Sequence, residues 1–212
     1  MSRPESLLAL APVIPVVVVD RVDQAVPTAR ALAAGGVPVV ELTLRTEAAL
    51  EAIAAIAEEV PEVVVGAGTV TTPSLAKEAA DAGAAFLVSP GATPGLLGAL
   101  ADTGLPFLPG TATVSEVLAA LEAGCRELKF FPAEASGGIA FLKSLTTVTP
   151  AARFCPTGGI TLSSAPDYLA LSNVGCVGGS WLTPADALRD GDWDRVTALA
   201  AEVATLGEGR AG

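Results

Sequence analysis

The sequence contains no histidine. This absence excludes histidine general bases, Ser-His-Asp triads and metal sites built on imidazole ligands. Cysteine is scarce as well, since Cys125, Cys155 and Cys176 lie far apart and each falls in a predicted strand. Their spacing fits neither a zinc site nor a disulfide framework, so we expect reduced thiols, as in a cytosolic protein.

Positive charge is also in short supply. The chain has 12 lysines and arginines against 23 acidic residues, which gives a formal net charge of -11. Such an acidic surface repels nucleic acid and anionic membranes, and we expect neither as a partner. A phosphorylated metabolite remains compatible with this charge, because backbone N–H groups can hold phosphate locally.

Long uninterrupted hydrophobic runs are missing too. The apolar stretch LLALAPVIPVVVV contains two prolines and follows no clear positively charged segment. A membrane-spanning helix needs roughly 20 apolar residues, and the second half of this stretch reads as a strand. We therefore expect a cytoplasmic protein, and the even composition along 212 residues predicts a single domain over residues 1–212.

The sequence does contain a regular alternation of short β-branched runs with helical stretches rich in alanine, leucine and glutamate. The strand candidates are residues 13–20, 37–45, 62–70, 84–91, 105–112, 125–133, 152–160 and 174–183. Helical stretches at 46–60, 72–83 and 113–124 open with Thr or Thr-Pro, which is typical of a helix start.

Repeated βα units predict an α/β fold with a parallel sheet, because parallel strands need crossover helices. Eight units favour a closed (β/α)8 TIM barrel, with an extra N-terminal helix over residues 3–10 and one or two closing helices in 184–206. An open doubly wound sheet is the alternative. It would not explain eight evenly spaced units, and the first strand lacks a G-x-G-x-x-G motif after it.

Two charged residues lie inside strands that are otherwise apolar. In VPVVELTLR, the period of two places Glu41, Thr43 and Arg45 on one face, and in CRELKFFPA it places Lys129 with Phe131. The second and sixth strands of an eight-stranded barrel stand opposite each other. We therefore expect Glu41 and Lys129 to meet in the interior.

This pair has two interpretations. One is a buried ion pair that only fills the interior, although such pairs stabilise less than apolar filling. The other is catalytic: the neutral amine of a desolvated Lys129 attacks a carbonyl to form a Schiff base, with Glu41 as proton shuttle. The other lysines, Lys77 and Lys143, fall on helical stretches where solvent exposure is expected, so Lys129 is the candidate nucleophile.

Glycine pairs end the last two predicted strands, in CPTGGI and VGGSW. Barrel enzymes often hold phosphate between these two loops with backbone N–H groups and a helix N-terminus. Either loop alone is explained by turn formation, but their joint position favours a phosphate site. The residues concerned are Gly158, Gly159, Gly178, Gly179 and Ser180. Thr69, in GAGTV, and Pro90, in SPG, end the third and fourth strands at the same rim.

Taken in order, the motifs ELTLRT, GAGTV, SPG, KFFPAE, FCPTGGI and GGSW resemble those of the 2-keto-3-deoxy-6-phosphogluconate (KDPG) aldolase and 4-hydroxy-2-oxoglutarate aldolase family, over nearly the whole chain. The resemblance implies a class I aldolase, a carbon–carbon aldehyde-lyase, on a (β/α)8 barrel. It further implies a homotrimer without metal or other cofactor. The implied reaction is reversible cleavage of KDPG to pyruvate and glyceraldehyde 3-phosphate, as in the Entner-Doudoroff pathway.

The resemblance also implies roles for individual residues. Lys129 forms the Schiff base, and Glu41 is the general acid and base. The implied substrate contacts are the carboxylate site of Arg45 and Thr69, the pocket of Pro90, Phe131 and Thr157, and the phosphate site of Gly158, Gly159, Gly179 and Ser180. Some family members carry an arginine where this chain has Val18, which leaves the preferred substrate open.

Four alternatives follow from these observations. Two lie within the family, an aldolase that prefers the galactonate epimer or one that prefers 4-hydroxy-2-oxoglutarate. The third is a metal-dependent barrel epimerase, which the absence of histidine disfavours. The fourth is a non-catalytic trimeric scaffold, which the intact set of Glu41, Arg45 and Lys129 disfavours.

Overall fold

The computed structural model describes residues 6–207 as short strands that alternate with helices. The strands are β1 (Val13–Val17), β2 (Val39–Thr43), β3 (Val64–Gly68), β4 (Phe86–Val88), β5 (Phe107–Leu108), β6 (Gly110–Thr111), β7 (Glu127–Phe130), β8 (Arg153–Pro156) and β9 (Val177–Gly179). The α-helices are α1 (Ala25–Ala34), α2 (Ala49–Glu59), α3 (Pro73–Asp81), α4 (Pro94–Asp102), α5 (Val114–Glu122), α6 (Gly138–Val148), α7 (Ala165–Leu169), α8 (Ala185–Asp190) and α9 (Trp193–Ala204). The 3-10 turns are Leu7–Ala9, Val22–Gln24, Glu134–Ser136 and Thr205–Gly207.

The strands pair in parallel and form an α/β fold with a curled sheet. One group runs in the order β5-β4-β3-β2-β1-β9 and the other in the order β6-β7-β8. An isolated parallel bridge between Thr157 and Gly178 connects the end of β8 to β9. The prediction of a parallel α/β sheet is thus confirmed.

The fifth predicted strand, 105–112, is divided at Pro109 into β5 and β6. Proline has no N–H group, so the ladder is interrupted there. The first half pairs with β4, where the Ser89 N–H donates to the Leu108 carbonyl over 3.2 Å. The second half pairs with β7, and the Lys129 N–H donates to the Pro109 carbonyl over 3.0 Å.

Threonine side chains cap the start of three helices, as the sequence pattern predicts for α3 and α5. The hydroxyl oxygens of Thr72, Thr93 and Thr113 accept hydrogen bonds from the third residue of α3, α4 and α5. Helix α2 differs, because it begins at Ala49 rather than at Thr46. The Thr46 hydroxyl instead donates to the carbonyl of Val19 beyond β1 over 2.7 Å, so a tertiary contact has replaced a local cap.

The N-terminal helix predicted over residues 3–10 is not observed as such. Residues 3–5 lie outside the described residues, and the remainder forms only the 3-10 turn Leu7–Ala9. There, the carboxylate of Glu127 at the start of β7 accepts hydrogen bonds from the Ser6 hydroxyl and, over 2.9 Å, from the Leu7 N–H. These bonds attach the segment to the sheet without an α-helical turn.

The remaining predictions concern the C-terminal helices, the cysteines and membrane spans. The closing helices predicted within 184–206 are α8 and α9. Cys155 lies buried within β8, whereas Cys125 and Cys176 lie just before β7 and β9, because both strands are shorter than predicted. Between residues 6 and 207, none of the helices has the length and apolar character needed to cross a membrane.

Candidate active site

Glu41 on β2 and Lys129 on β7 meet in the interior of the curled sheet. The Lys129 Nζ lies 3.2 Å from the Glu41 Oε1, and the two side chains are 6% and 4% exposed. The attraction between two charges at this distance is far stronger when both are buried than when they lie at the surface. The same contact also permits proton transfer from the ammonium to the carboxylate. The pair therefore combines a source of free amine with an adjacent base.

Glycines on the neighbouring strands provide the space for this pair. Glu41 lies beside Gly66 in the β2–β3 register, and the next interior position of β3 is Gly68. A Cβ atom at position 68 would overlap the Glu41 carboxylate. Gly110 lies beside Lys129, and a Cβ atom there would overlap the backbone of Pro90. Glycine thus allows a carboxylate and a neighbouring loop to approach the strands closely.

The ring of Phe131 covers the lysine from the open end of β7. The Lys129 Nζ lies 5.4 Å from the ring centroid, within the range of a cation–π contact. The same ring borders the first glycine loop, since a Cβ atom at Gly158 would lie 3.3 Å from it. Phe131 therefore connects the amine to the loop after β8.

Arg45 lies just beyond the end of β2, with its side chain exposed. Within residues 6–207 its guanidinium has no ion-pair partner, although acidic residues outnumber basic ones in the whole chain. Thr69 and Pro90, both half-buried, follow β3 and β4. The rim thus offers an unpaired cation and a hydroxyl on the same side as the buried amine, which suits an anionic substrate.

The two glycine loops lie next to each other at this rim. Gly158 and Gly159 have φ angles of +102° and +81°, which glycine adopts without strain. The buried Thr157 precedes them and packs on β9, where a Cβ atom at Gly178 would overlap its hydroxyl. Ser180, which follows the buried Gly179, is exposed. The arrangement gathers backbone and hydroxyl groups beside β8 and β9.

Thr43 was not predicted as a site residue. Its hydroxyl is buried and has no hydrogen-bond partner within the described part of the chain. It lies two residues after Glu41 on the same strand face, at the last position of β2 before the turn that carries Arg45. The period of two could have found it, because a polar residue between two candidate site residues on one face points into the same site.

Glu134 and Tyr168 were also missed. Glu134 ends the KFFPAE motif, and its carboxylate accepts a hydrogen bond of 2.6 Å from the buried Tyr168 hydroxyl on α7. Burial, and then the nearby carboxylate of Glu134, raise the pKa of Tyr168 well above its usual value. No sequence pattern links two residues that lie 34 positions apart on different elements.

Metal ligands are not gathered at this site. Across the described range 6–207, no group of three or more acidic or cysteine side chains is arranged to hold a metal ion. The chemistry available to the chain's own residues is therefore that of the amine, the carboxylate and the rim donors. An amine nucleophile with an adjacent base suits carbonyl condensation and proton transfer.

Comparisons with known proteins agree with this geometry and with the sequence motifs. The family model described as KDPG and KHG aldolase matches residues 5–199. The 2-dehydro-3-deoxy-phosphogluconate aldolase of Dickeya dadantii is 56% identical over 198 residues, 93% of each chain. The KHG/KDPG aldolase of Escherichia coli strain K12 is 54% identical over the same share of both chains.

Solved structures give the same result. The KDPG aldolase of Legionella pneumophila, with pyruvate captured at low pH as a covalent carbinolamine intermediate, has a TM-score of 0.91 and 45% identity, covering 93% of this chain and 96% of that one. The 2-keto-3-deoxy-6-phosphogluconate aldolase of Zymomonas mobilis ZM4, with 3-phosphoglycerate, has a TM-score of 0.90 and 46% identity, covering 97% and 96%. The resemblance seen in the motifs is confirmed, and the chain belongs to the KDPG and KHG aldolase family.

Proposed function

We propose that this protein is a class I aldolase that cleaves 2-dehydro-3-deoxy-6-phosphogluconate reversibly to pyruvate and glyceraldehyde 3-phosphate. The observation that carries the proposal is the buried contact of 3.2 Å between the Lys129 amine and the Glu41 carboxylate. The names of relatives 46–56% identical to this chain support the reaction, and the carbinolamine in the Legionella enzyme supports covalent catalysis by an amine.

The reaction begins with proton transfer from the Lys129 ammonium to Glu41, which frees the amine. The amine nitrogen adds to the C2 carbonyl of the keto acid. Protonated Glu41 then returns its proton to the carbinolamine hydroxyl, which leaves as water and gives a protonated Schiff base beside the Glu41 carboxylate. This iminium accepts the electron pair of the bond that breaks in the next step. No metal is needed for that role, and we expect the enzyme to work without one.

Cleavage then requires a base at the C4 hydroxyl. Glu41 takes the hydroxyl proton, the C3–C4 bond breaks, and its electron pair moves toward the iminium to form an enamine. Glyceraldehyde 3-phosphate leaves with the new C4 carbonyl. Protonation of the enamine at C3 and addition of water to the Schiff base release pyruvate and restore the Lys129 amine.

The rim residues are proposed to hold the two anionic ends of the substrate. Arg45 and Thr69 bind the carboxylate, because Arg45 is a cation at this rim that has no ion-pair partner within residues 6–207. Pro90, Phe131 and Thr157 form the wall of the pocket between them. The 6-phosphate is assigned to the loops after β8 and β9, through the residues Gly158, Gly159, Gly179 and Ser180.

The whole chain is proposed to form one closed (β/α)8 barrel and a single domain. Two features support closure of the sheet: the bridge between Thr157 and Gly178 links β8 to β9, and the strand divided at Pro109 pairs with β4 on one side and β7 on the other. In this barrel β5 and β6 are one staggered strand, so nine segments give eight strand positions.

A cytoplasmic homotrimer in the Entner-Doudoroff pathway completes the proposal. Val114 and Leu118, one turn apart on α5, are 37% and 47% exposed, and a neighbouring subunit would cover such apolar side chains. Light scattering after size exclusion at micromolar concentration should give the mass of a trimer. A clean monomer would refute this part of the proposal and leave the catalytic part intact.

A second candidate function is cleavage of 4-hydroxy-2-oxoglutarate. The Escherichia coli relative is named KHG/KDPG aldolase, and Val18, where some family members carry arginine, is 42% exposed beyond β1. The site therefore has one cationic contact fewer than those members. Parallel assays with both 6-phosphorylated epimers and with 4-hydroxy-2-oxoglutarate rank these substrates by kcat/KM.

Borohydride trapping tests the proposed chemistry directly. Reduction in the presence of pyruvate should leave a stable adduct on the peptide that contains ELKFFPAE. Lys129→Arg should abolish trapping and cleavage, because guanidinium stays protonated, whereas Lys143→Arg on the exposed side of α6 should retain both. Glu41→Gln should still be trapped, more slowly, while cleavage collapses. An adduct on Lys77 or Lys143, or full activity of Lys129→Arg, refutes the proposal.

A further inference from the structure

The loop after β7 is attached to the helix that follows the loop after β8. The Tyr168 hydroxyl, on the fully buried side chain of α7, donates to the Glu134 Oε1 over 2.6 Å. Glu134 begins the 3-10 turn Glu134–Ser136 and is itself exposed. The hydrogen bond therefore joins the end of the KFFPAE motif to α7 across the glycine pair that lies between β8 and α7.

Backbone hydrogen bonds join the same two loops. The Ala133 N–H donates to the Thr157 carbonyl over 2.8 Å, and the Glu134 N–H donates to the Gly158 carbonyl over 3.1 Å. These bonds orient the peptide planes on either side of Gly158. The position of Glu134 is thus coupled to the direction in which the next N–H groups of the glycine loop point.

The Glu134 side chain also packs directly against the second glycine. A Cβ atom at Gly159 would lie 2.6 Å from the Glu134 Cγ and 2.8 Å from its Cβ, so only glycine leaves enough room. On the other side, a Cβ atom at Gly138 would lie 2.9 Å from the Tyr168 hydroxyl. Gly159 thus leaves room for the Glu134 side chain and Gly138 leaves room for the Tyr168 hydroxyl, so both partners of the hydrogen bond lie against glycine backbone.

We propose that the hydrogen bond between Tyr168 and Glu134 positions the glycine loop for the phosphate group, and so sets the preference of the enzyme for phosphorylated keto acids. Both residues are positioning residues in this proposal, because they act through the glycine loop. A loop with two glycines at positive φ has many accessible conformations, and fixing one of them in advance lowers the entropy lost on binding. The inference rests on the proposed function, because it requires the loop to bind phosphate.

The ionisation of the two groups suits this role. Burial and the adjacent carboxylate raise the pKa of Tyr168, so the phenol stays protonated and remains a hydrogen-bond donor at neutral pH. The donated proton also offsets part of the negative charge of Glu134, which would otherwise repel a phosphate dianion at the neighbouring loop.

Tyr168→Phe removes the hydroxyl and little else. We expect the KM for the 6-phosphorylated keto acid to rise about tenfold, which corresponds to about 1.4 kcal/mol, with kcat changed less than about twofold. For the same keto acid without its phosphate, kcat/KM should stay within about twofold of the wild type. A merely structural role would lower activity on both substrates alike, and equal losses, or an unchanged KM, would overturn the inference.

Glu134 provides the matched pair of variants. Glu134→Gln keeps an oxygen acceptor for the phenol and should retain most of the wild-type preference for the phosphorylated keto acid. Glu134→Ala removes the acceptor and should raise the KM for that substrate as Tyr168→Phe does. If Tyr168→Phe fails to fold, as judged by circular dichroism, the comparison of the two Glu134 variants measures the same hydrogen bond. Equal KM values for Gln and Ala at this position contradict the inference.

The failure of this inference can be told apart from failure of the proposed function. Schiff-base trapping on Lys129, together with a wild-type preference for the phosphorylated substrate, supports the proposed function independently of Tyr168. If that preference is present and Tyr168→Phe leaves it unchanged, only the positioning role is wrong. If the wild type shows no preference for the phosphorylated substrate, the phosphate site and the positioning role are both refuted.

Discussion

Replacing Lys129 by methionine should destabilise the fold, although methionine is the more apolar side chain. At 3.2 Å and an effective dielectric constant of about 20, the attraction between the Lys129 ammonium and the Glu41 carboxylate is about 5 kcal/mol. Lys129→Met leaves the Glu41 carboxylate, 4% exposed, without its counter-charge. Removing one partner of a buried pair costs about 3–5 kcal/mol, and we expect a loss of that size in the free energy of unfolding.

The double replacement Glu41→Met with Lys129→Met should reverse that loss. Apolar side chains of similar volume in place of a buried ion pair are often neutral or stabilising by about 1–4 kcal/mol, because neither charge then has to leave water. The double variant should therefore be at least as stable as the wild type and inactive in both trapping and cleavage. Stability would then be separated from catalysis at one pair of residues.

Urea unfolding at one fixed protein concentration measures these differences, since the stability of an oligomer depends on concentration. Lys143→Met on the exposed face of α6 is the control and should change the free energy of unfolding by less than about 0.5 kcal/mol. A Lys129→Met variant as stable as the wild type would refute the reasoning. So would a double variant no more stable than the single one, because the loss would then come from packing rather than from the unpaired charge.

Substitutions at Ser180, Thr43 and Gly68 test other parts of the site. Ser180→Asp should raise the KM for the phosphorylated keto acid at least about tenfold by like-charge repulsion, whereas Ser180→Ala should raise it much less. The KM of Ser180→Asp for the unphosphorylated keto acid should change little, and an equal rise in KM for both substrates contradicts the phosphate assignment. Thr43→Val should raise the free energy of unfolding by about 1 kcal/mol, because it removes a buried hydroxyl without a partner, and it should lower kcat/KM. A destabilised variant with full activity would contradict a role for the Thr43 hydroxyl in the site. Gly68→Ala should displace Glu41 and abolish cleavage. Gly98→Ala is the control and should keep full activity, because a Cβ atom at position 98 meets no neighbouring atom within 4 Å. An active Gly68→Ala enzyme would show that the Glu41 carboxylate can move without loss of function.

Strand periodicity predicted the most informative contact of the site. Alternation along VPVVELTLR and CRELKFFPA placed Glu41 and Lys129 on interior faces, and the structure brings their charged atoms to 3.2 Å. This inference was possible because the strand period and the order of βα units are both written in the sequence, and together they determine which strands face each other.

Contacts between loops were not predictable in the same way. The Tyr168–Glu134 hydrogen bond depends on how α7 packs against the turn in the loop after β7, and neither residue belongs to a periodic pattern. The hydrogen bond of Thr46 was not predictable either. Its position before α2 predicts a helix cap, yet its hydroxyl donates to the Val19 carbonyl on the neighbouring loop. The division of the fifth predicted strand, by contrast, could have been predicted from Pro109, because a proline inside a strand interrupts the hydrogen-bond ladder.

Electrostatics at two length scales explain why the proposed substrate contacts take the form they do. With a net charge of -11, the chain repels at long range an anion that carries both a carboxylate and a phosphate. Under the proposed assignment, binding depends on short-range donors within the rim, namely the Arg45 guanidinium and the N–H groups of the glycine loops, which act over a few ångströms. Without Lys129, the Glu41 carboxylate would also repel the anionic substrate. The charge of Lys129 compensates that of Glu41 until the amine adds to the substrate carbonyl. Formation of the iminium then keeps one positive charge beside the Glu41 carboxylate, so the pair passes from ground state to intermediate without leaving an uncompensated buried charge.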